Sequence, residues 1–447
     1  MSTASATPLR AVIVGLGKTG YSVARFLLKR GTRVAVTDSR AEPPELARLA
    51  ALGGDVVVRS GGFDAALLEQ ADLVVVSPGV ALTGPFFDAA RARGLSIVGD
   101  IELFARAARA PVVGITGTNG KSTVTTLLEK MAARSGLKMR AGGNLGAPAL
   151  DLLDGSVELY ILELSSFQLE TTESLSLAAA TVLNVTPDHL DRYPDLAAYA
   201  AAKARIFARC DVAVINLDDP LVAAMVGPGR RQLSFSLRAD VGADYVLMRR
   251  EDGDWWLMRR EEPLLALSQM RLTGLHNAAN ALAALALAEA LALPRGACIA
   301  ALAAFTGLAH RTQWLAEIGG VRYVNDSKGT NVGATLAAVD GMPGPLVVIA
   351  GGDGKGQDFT PLRAAFAGKV RAAVLIGRAA RSLGAALSGV SALHYAPSLE
   401  AAVECAARVA QPGDTVLLSP ACASLDMFRD YRHRGEVFAD AVQRRSA

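Results

Sequence analysis

The chain contains little lysine and little cysteine, and both shortages restrict the kinds of site that the protein can contain. Nine of its 46 basic residues are lysines and 37 are arginines, so ordinary surface positions use arginine. The few lysines are therefore candidates for chemistry that a compact ammonium or a neutral amine performs better than a guanidinium. The cysteines are far apart and have no CxxC pair or nearby histidine ligands, which argues against disulfides or a zinc site and predicts buried, reduced thiols. They are Cys210, Cys298, Cys405 and Cys422.

An excess of one charge and long hydrophobic runs are also missing. The net charge is +3 over 447 residues and no dense basic block is present, so we expect no nucleic-acid partner. The longest apolar run, 281–294, contains Glu289, and residues 1–7 lack the basic and apolar regions of a secretory signal. We therefore expect a soluble, cytoplasmic protein without membrane insertion. We also expect a monomer.

The apolar sequence that is present predicts a large α/β protein. Hydrophobic residues make up 51% and charged residues 20%, a composition typical of a folded protein rather than a disordered one. At about 100 to 200 residues per domain, the length favours three domains. Short apolar runs alternate with helical stretches, as in parallel sheets. The predicted strands are 9–14, 33–37, 56–58, 73–76, 96–98, 111–116, 160–164, 180–185, 212–216, 321–324, 346–350, 373–376 and 415–418.

Breaks in this alternation predict the domain boundaries. A helix begins near Asp100 before a further strand and glycine loop. The stretch 231–271 is more polar and is interpreted as antiparallel, and an alanine-rich helix at 277–291 follows it. The alternation then restarts. The predicted domains are 1–98, 99–307 and 308–447.

The strongest local motif is a glycine-rich loop, residues 114–123, between a predicted strand and a predicted helix. Its backbone N–H groups can close around phosphate oxygens, while Lys121 can reach the β and γ phosphates and Ser122 can bind Mg²⁺. It departs from the Walker pattern, because Ile115 stands where that pattern has glycine. We interpret it as a nucleoside triphosphate site, with a turn that binds nothing as the alternative.

A second glycine loop, at 15–20, follows the first predicted strand. Alone it is typical of a nicotinamide site in which Asp38 binds a ribose. The triphosphate loop nearby favours a phosphate-bearing nucleotide, because dinucleotide redox chemistry would explain only one of the two loops. An oxidoreductase and a turn without function stay as alternatives.

Polar residues follow two strands of the middle segment. Glu163 and His189 are predicted at the sheet edge where ligands of open α/β sheets collect. They could share a metal near Ser122, or be a solvated carboxylate and a capping histidine. Lys203 is the single lysine of an alanine-rich helix, where an ordinary surface lysine is the alternative.

Taken together, the motifs resemble those of the Mur ligase family over nearly the whole chain. The blocks are Gly117-Thr118-Asn119-Gly120-Lys121-Ser122-Thr123, 163–170, Asp188-His189-Leu190-Asp191-Arg192-Tyr193, His276-Asn277, His310-Arg311, Asn325-Asp326-Ser327-Lys328-Gly329-Thr330-Asn331, Gly351-Gly352-Asp353-Gly354-Lys355 and Ser419-Pro420-Ala421-Cys422-Ala423-Ser424-Leu425-Asp426. The last three blocks and the short first domain are most similar to the branch of the family that adds D-glutamate.

The resemblance implies a fold and a reaction. The fold would be α/β with a Rossmann-like UDP-binding domain, a central P-loop ATPase-like domain and a C-terminal Rossmann-like domain that brings the amino acid. The reaction would join D-glutamate to UDP-N-acetylmuramoyl-L-alanine, with ATP and Mg²⁺, in cytoplasmic peptidoglycan precursor synthesis. ATP would convert the alanyl carboxylate into an acyl phosphate, which the glutamate amine attacks. Positioning and charge neutralisation are then the protein's main tasks.

The resemblance also implies roles for single residues. Contacts to the UDP substrate would come from Lys18, Thr19, Asp38, Ser39, Arg40 and Asn144. Contacts to ATP would come from Gly117, Thr118, Asn119, Gly120, Lys121, Ser122, Thr123, Asn277, Arg311 and Asp326. The catalytic residues would be Lys121, Glu163, His189 and Lys203, and the metal would be held by Ser122, Glu163, His189 and Lys203, the last as a carbamate. Glutamate would contact Thr330, Lys355, Ser424, Leu425 and Tyr431.

Two departures and two rival functions accompany this interpretation. Gly329 stands where alanine is commoner and Tyr431 where some members have phenylalanine, and neither change removes a charge. Another Mur ligase or a relative of folylpolyglutamate synthase would share the ATP loop and Lys203 but add a different amino acid. A nucleotide-binding regulator would hydrolyse ATP slowly and ligate nothing.

Overall fold

Three β-sheets flanked by helices form the molecule, in a computed structural model that describes residues 9–53, 56–227, 229–251, 253–272 and 274–446. The sheets contain five, nine and six strands, which confirms the predicted three-domain α/β class. The boundaries at 98/99 and 307/308 stay predictions. Residues 1–7, where no secretory signal is expected, lie outside the described residues.

The first sheet is fully parallel and follows the predicted strands. Strands β1 to β5 are Arg10–Val14, Arg33–Asp38, Val57–Ser60, Leu73–Val76 and Ser96–Val98. Their order is β3-β2-β1-β4-β5. The helices α1 to α3 are Lys18–Leu28, Leu46–Ala50 and Pro85–Ala92, with a 3₁₀ turn at Ala65–Gln70. Helix α4, Asp100–Ala107, leads into the second sheet.

The second sheet is the largest and carries the phosphate-loop candidate. Strands β6 to β14 are Val112–Thr116, Met139–Gly143, Leu159–Glu163, Leu177–Val182, Cys210–Asn216, Arg231–Ser236, Tyr245–Arg249, Trp255–Arg259 and Glu262–Ala266. Helices α5 to α10 are Lys121–Arg134, Ser166–Glu170, Leu196–Ala204, Pro220–Ala223, Leu275–Ala290 and Arg295–Ala304. Shorter 3₁₀ turns are Ala149–Leu152, Arg205–Phe207, Ala239–Val241 and Leu267–Gln269.

The pairing of this sheet corrects one prediction. Its order is β14-β13-β12-β11-β10-β9-β6-β8-β7. In the stretch 231–271, expected to be antiparallel, β11 and β12 continue the parallel part, and only the β12-β13-β14 pairings are antiparallel. The parallel pairing is confined to the last two residues of β11 and the first two of β12, so the connection 237–244 need not run back along the sheet. The close connections between β12, β13 and β14 are hairpins, which impose the antiparallel pairing.

The third sheet combines a parallel core with one antiparallel edge strand. Strands β15 to β20 are Gln313–Ile318, Val321–Asn325, Leu346–Gly351, Val370–Ile376, Ala392–Tyr395 and Thr415–Leu418, in the order β15-β16-β20-β17-β18-β19. Only the β15 pairing is antiparallel. Helices α11 to α15 are Val332–Gly341, Leu362–Phe366, Ala380–Leu387, Leu399–Val409 and Tyr431–Ser446.

Burial on both faces of the central strands explains why their sequences are continuous apolar runs. Every residue of β6 and β8 is buried, as parallel sheets covered by helices on both sides require. Their carboxyl ends lie at one edge of the sheet, which brings the loops after Thr116 and Glu163 together. The fold thereby places the candidate site at this edge.

Two expectations from composition are tested here. All four cysteines are free, and three are buried, but Cys405 is half-buried and corrects the prediction for that residue, because it lies on the amphipathic helix α14. Among the described residues, no helix has the length and apolarity needed to cross a membrane.

Candidate functional site

The loop between β6 and α5 has the backbone of a phosphate cradle. Gly120 has φ of +85°, and a Cβ added there would lie 2.4 Å from Asn280 Oδ1, so the turn requires glycine. The Lys121 ammonium folds back to donate to the Gly117 and Thr118 carbonyl oxygens, at 2.7 and 2.9 Å. Burial lowers the pKa of Lys121, and the nearby Glu163 carboxylate opposes that shift.

A second loop, after β9, is joined to this cradle. Asn184 accepts a hydrogen bond from the Asn119 backbone N–H at 2.8 Å through its side chain, which donates in turn to the Asn119 carbonyl. The Thr118 hydroxyl donates to the Thr186 carbonyl at 3.2 Å and accepts from its N–H. The motif that contains Asp188 and His189 is therefore fixed relative to the phosphate loop.

Glu163 lies among residues that were predicted to contact ATP, the metal and the UDP substrate. Its carboxylate accepts hydrogen bonds from the Ser122 hydroxyl and from the Asn144 side chain, both at 2.6 Å. Arg311, which shortly precedes the first strand of the third sheet, donates to the same Ser122 hydroxyl at 2.6 Å. Asn144, expected at the UDP substrate, thus lies within the phosphate and metal region.

Lys203 is buried inside this site. It is 1% exposed, which excludes the surface lysine considered from the sequence. Its ammonium donates to the Gly117 carbonyl at 2.9 Å and lies 4.4 Å from the centre of the Tyr199 ring. Burial, followed by the charge of Lys121, lowers the pKa of Lys203 well below its usual value. This shift favours the neutral amine.

His189 lies at the rim of the same site. It adopts a left-handed backbone with φ of +56°, its ring meets Phe167 edge-on at 4.9 Å, and its Nε2 is 3.8 Å from Asp188 Oδ2. Burial lowers the pKa of its ring, against the attraction of Asp188. The neutral imidazole is thus favoured, the form in which histidine can accept a proton or bind a metal.

The donor set fits Mg²⁺ held partly by phosphate oxygens rather than a closed metal site. No group of three His, Cys, Asp or Glu residues with metal-binding geometry occurs in the described part of the chain. Mg²⁺ in nucleotide enzymes commonly takes one or two protein groups and completes its shell with water and phosphate. The hydroxyl of Ser122 and the carboxylate of Glu163 supply two such oxygens side by side.

A cavity of about 270 Å³ lies between the second and third sheets. It brings together residues expected at ATP, which are Asn119, Gly120, Thr123, Asn277, Arg311 and Asp326. Burial raises the pKa of Asp326 to about 7, although the Ser419 hydroxyl and the Thr312 N–H donate to its carboxylate. Asp326 is therefore a buried carboxyl group held in place from two segments.

The residues predicted for the UDP substrate cluster at the edge of the first sheet, apart from Asn144. Lys18 and Thr19 begin α1, and Ser39 and Arg40 follow Asp38 at the end of β2. Burial alone would raise the pKa of Asp38, but hydrogen bonds from Arg40 and from the Leu16 N–H lower it to about 2. Asp38 therefore holds the glycine loop in place by accepting the hydrogen bond from the Leu16 N–H.

Most residues predicted for glutamate lie on loops of the third sheet, and Tyr431 begins helix α15. Asp353 and Ala423 exchange backbone hydrogen bonds of 2.9 Å, which join the loop of Lys355 to that of Ser424. Ser424 is buried, whereas Leu425 is 72% exposed. Thr330 follows Lys328, whose ammonium lies 4.2 Å from the centre of the Tyr431 ring.

Asp188 and Asn331 belong to the site but received no role from the sequence. The Asn331 side chain donates to Asp188 Oδ2 at 3.1 Å, and the Lys355 ammonium lies 4.0 Å from Asp188 Oδ1. These contacts join the third domain to the central one beside His189. Both residues lie within motifs that the sequence analysis had identified, and their place in those motifs could have indicated that they belong to the site.

Comparison with known proteins gives matches to all three segments. Family models match as "Mur ligase MurD-like, N-terminal domain" at residues 9–99, "Mur ligase middle domain" at 115–288 and "Mur ligase, glutamate ligase domain" at 310–422. The UDP-N-acetylmuramoylalanine--D-glutamate ligase of Nitrosococcus oceani is 57% identical over 97% of this chain and 96% of its own. That of Methylococcus capsulatus is 51% identical over 97% and 94%.

Solved structures agree in fold. The UDP-N-acetylmuramate-alanine ligase MurC of Thermotoga maritima matches with a TM-score of 0.62 and 19% identity, over 98% of this chain and 99% of that one. The MurF ligase of Thermotoga maritima, in complex with ADP, matches with a TM-score of 0.61 and 16% identity over 99% and 97%. From the full-length relatives and the three domain matches, this chain belongs to the Mur ligase family.

Proposed function

We propose that the chain is an ATP-dependent ligase that joins D-glutamate to UDP-N-acetylmuramoyl-L-alanine in peptidoglycan precursor synthesis. The observation that carries the proposal is the approach of Lys355, a candidate carboxylate binder, to Asp188 on the loop joined to the phosphate cradle. The full-length relatives named as D-glutamate ligases support the choice of amino acid.

The reaction uses the site in two steps. The alanyl carboxylate of the UDP substrate attacks the γ phosphorus of ATP, giving an acyl phosphate and ADP. The glutamate amine, after losing a proton, then attacks the acyl carbon, and the tetrahedral intermediate expels phosphate. Lys121 and Arg311 neutralise phosphate charge in this scheme, because the Lys121 ammonium lies within the phosphate loop and Arg311 donates to Ser122 at its helical end.

The assignment of ligands to residues follows the three sheet edges. ATP occupies the phosphate loop and the cavity beside Asn277 and Asp326, and glutamate lies near Lys355 and Ser424. Lys18 and Arg40 bind the UDP substrate. Mg²⁺ is held by Ser122 and Glu163, with His189 and a carbamate on Lys203 completing the polar surroundings, and it neutralises charge on the phosphates when bound.

Three coarser expectations accompany the reaction. The domains are 1–98, 99–307 and 308–447, and they supply most of the proposed contacts to the UDP substrate, ATP and glutamate, respectively. The exceptions are Asn144 of the central domain and Arg311 and Asp326 of the third. One chain therefore contains every proposed contact, which supports a monomer. ATP and nucleotide-linked precursors are cytoplasmic molecules, so we place the enzyme in the cytoplasm.

Phosphate release and product mass test the proposal together. The purified chain, with ATP and Mg²⁺, is expected to release phosphate only when UDP-N-acetylmuramoyl-L-alanine and D-glutamate are both present. Mass spectrometry should find the UDP substrate extended by one glutamate. A screen of other amino acids, including L-glutamate, separates this activity from that of other ligases. ATP hydrolysis without the UDP substrate and without ligation would identify a regulator instead.

A further inference from the structure

Arg192 crosses from the central domain to the first domain. Its Nη1 donates to the Pro78 carbonyl and its Nη2 to the Val80 carbonyl, both at 3.1 Å. The side chain is 16% exposed, so these charged hydrogen bonds are largely shielded from water. Arg192 therefore holds the turn 77–80, which follows β4 at the edge of the first sheet.

That turn is itself packed on the first glycine loop. The Val80 N–H donates to the Ser77 carbonyl at 2.9 Å, and the Ser77 hydroxyl donates to the Gly15 carbonyl at 2.8 Å. A Cβ added to Gly15 would lie 3.0 Å from a Val80 methyl group, so the two segments are in close contact. A displacement of the turn is thereby passed to the loop at 15–20.

Arg192 is also fixed beside the candidate catalytic loop. Its guanidinium lies 4.2 Å from the centre of the Phe167 ring, and its Nη2 is 3.4 Å from Glu170 Oε2. The Arg192 backbone N–H donates to the His189 carbonyl at 2.9 Å. Phe167 also contacts the His189 ring. The same residue therefore contacts the surroundings of His189 and the turn of the first sheet.

We propose that Arg192 is a positioning residue that holds the turn 77–80, and through it the glycine loop, in the arrangement that binds the UDP substrate. The inference rests on the proposed function, because it takes the glycine loop as the UDP-substrate site. A planar guanidinium can donate to two carbonyl oxygens at once while lying on an aromatic ring, which an ammonium cannot do. The role therefore belongs to arginine and is poorly replaced by lysine.

Arg192→Ala and Arg192→Lys test the proposal against a matched control, Arg25→Ala. Arg25 also joins the first and central domains, through an ion pair with Asp151 at 2.6 Å, but it does not touch the turn. Loss of the Arg192 bonds should weaken binding of UDP-N-acetylmuramoyl-L-alanine about ten- to a hundredfold in calorimetry and raise its KM similarly. The KM values for ATP and D-glutamate and the melting temperature should stay close to those of Arg25→Ala. Arg192→Lys should resemble Arg192→Ala.

Hydrogen exchange supplies a readout that does not depend on turnover. The amides of Ser77 and Val80 should exchange faster in Arg192→Ala than in Arg25→Ala. Equal exchange and equal affinity for the UDP substrate in the two variants would overturn the inference. A wild-type enzyme that neither binds nor uses the UDP substrate would instead overturn the proposed function, and the inference with it.

Discussion

Burial determines which single side chains can react in this site. Lys203 is 1% exposed, and burial lowers the pKa of its amine well below the usual range. A neutral amine can add to CO₂, which forms the N–C bond and releases one proton, leaving an anionic carbamate. Such an anion suits a place beside Mg²⁺, where an ammonium would repel the metal.

We therefore predict that Lys203 is carbamylated in the active enzyme. In ¹³C-labelled bicarbonate the wild type should show a carbamate resonance that Lys203→Ala lacks. Lys203→Ala should be largely inactive and regain part of its activity with added short carboxylic acids. Lys130→Ala, which changes an exposed lysine on α5, should keep both the resonance and the activity. A wild-type spectrum without the resonance, together with no rescue, would contradict the prediction.

Lys355 should serve glutamate rather than ATP. It lies in the glycine-rich loop after β17, and its ammonium faces the central domain near Asp188. A charged hydrogen bond to a carboxylate is worth roughly 1.5 to 3 kcal/mol, so Lys355→Ala should raise the KM for D-glutamate about ten- to a hundredfold. Lys355→Arg should rescue poorly, because a planar fork does not replace a compact ammonium.

Trapping of the acyl phosphate distinguishes the two roles of Lys355. Borohydride reduction without glutamate should still detect the intermediate in Lys355→Ala and fail in Lys121→Ala. Arg378→Ala is the matched control, because Arg378 is exposed and lies 3.7 Å from Asp353 on the same loop. Its KM for D-glutamate should change little. Failure of trapping in Lys355→Ala would place Lys355 in the phosphate site.

Residue identity was easier to predict than residue contact. Lys121 and Ser122 were found because a glycine loop before a helix has a local pattern. The roles of Asp188 and Arg192 were missed, although both stand in a quoted motif, because their partners are remote. Asn331 is 143 positions from Asp188, and Pro78 is 114 positions from Arg192. Such contacts depend on how sheets are arranged, which no local spacing contains.

At the scale of elements, buried apolar strands were predicted, and so were the edge strands β3 and β5, but other edge strands were missed. Strands β6 and β17 are buried throughout and β1 is buried after Arg10, because helices cover both faces of their sheets. The edge strands β7 and β19 were missed, since Met139–Gly143 ends in two glycines and Ala392–Tyr395 is largely outside the core. For β9 the prediction extended to 185, but the strand ends at Val182 and the following residues form the loop to Asp188.

The two glycine loops should bind their ligands independently, because they belong to different sheets. Lys121→Ala should abolish acyl phosphate formation and leave the affinity for the UDP substrate unchanged in calorimetry. Lys18→Ala should have the reverse effect: it should lower the affinity for the UDP substrate while a nonhydrolysable ATP analogue still binds. Each variant is the control for the other. Equal loss of UDP-substrate affinity in both would show that the loops form one site.

At the scale of the whole molecule, polar contacts join the third domain to the central one. They include Arg311 with Ser122, Asn331 with Asp188, and the approach of Lys355 to Asp188. Interfaces within a chain that are polar permit domain movement. Substrates that contact both sides of the junction should therefore determine how closed it is.

We predict that the third domain closes onto the central domain when the substrates bind. The proposed ATP contacts come from both domains and the glutamate contacts from the third, so the amine can reach the acyl carbon only when the two domains are held together. Small-angle scattering should show a smaller radius of gyration with the UDP substrate and a nonhydrolysable ATP analogue than without ligands. Asp188→Ala removes the acceptor of Asn331 and should weaken this compaction, whereas Arg25→Ala should leave it intact. An unchanged radius in the wild type would indicate that the site is assembled before the substrates arrive.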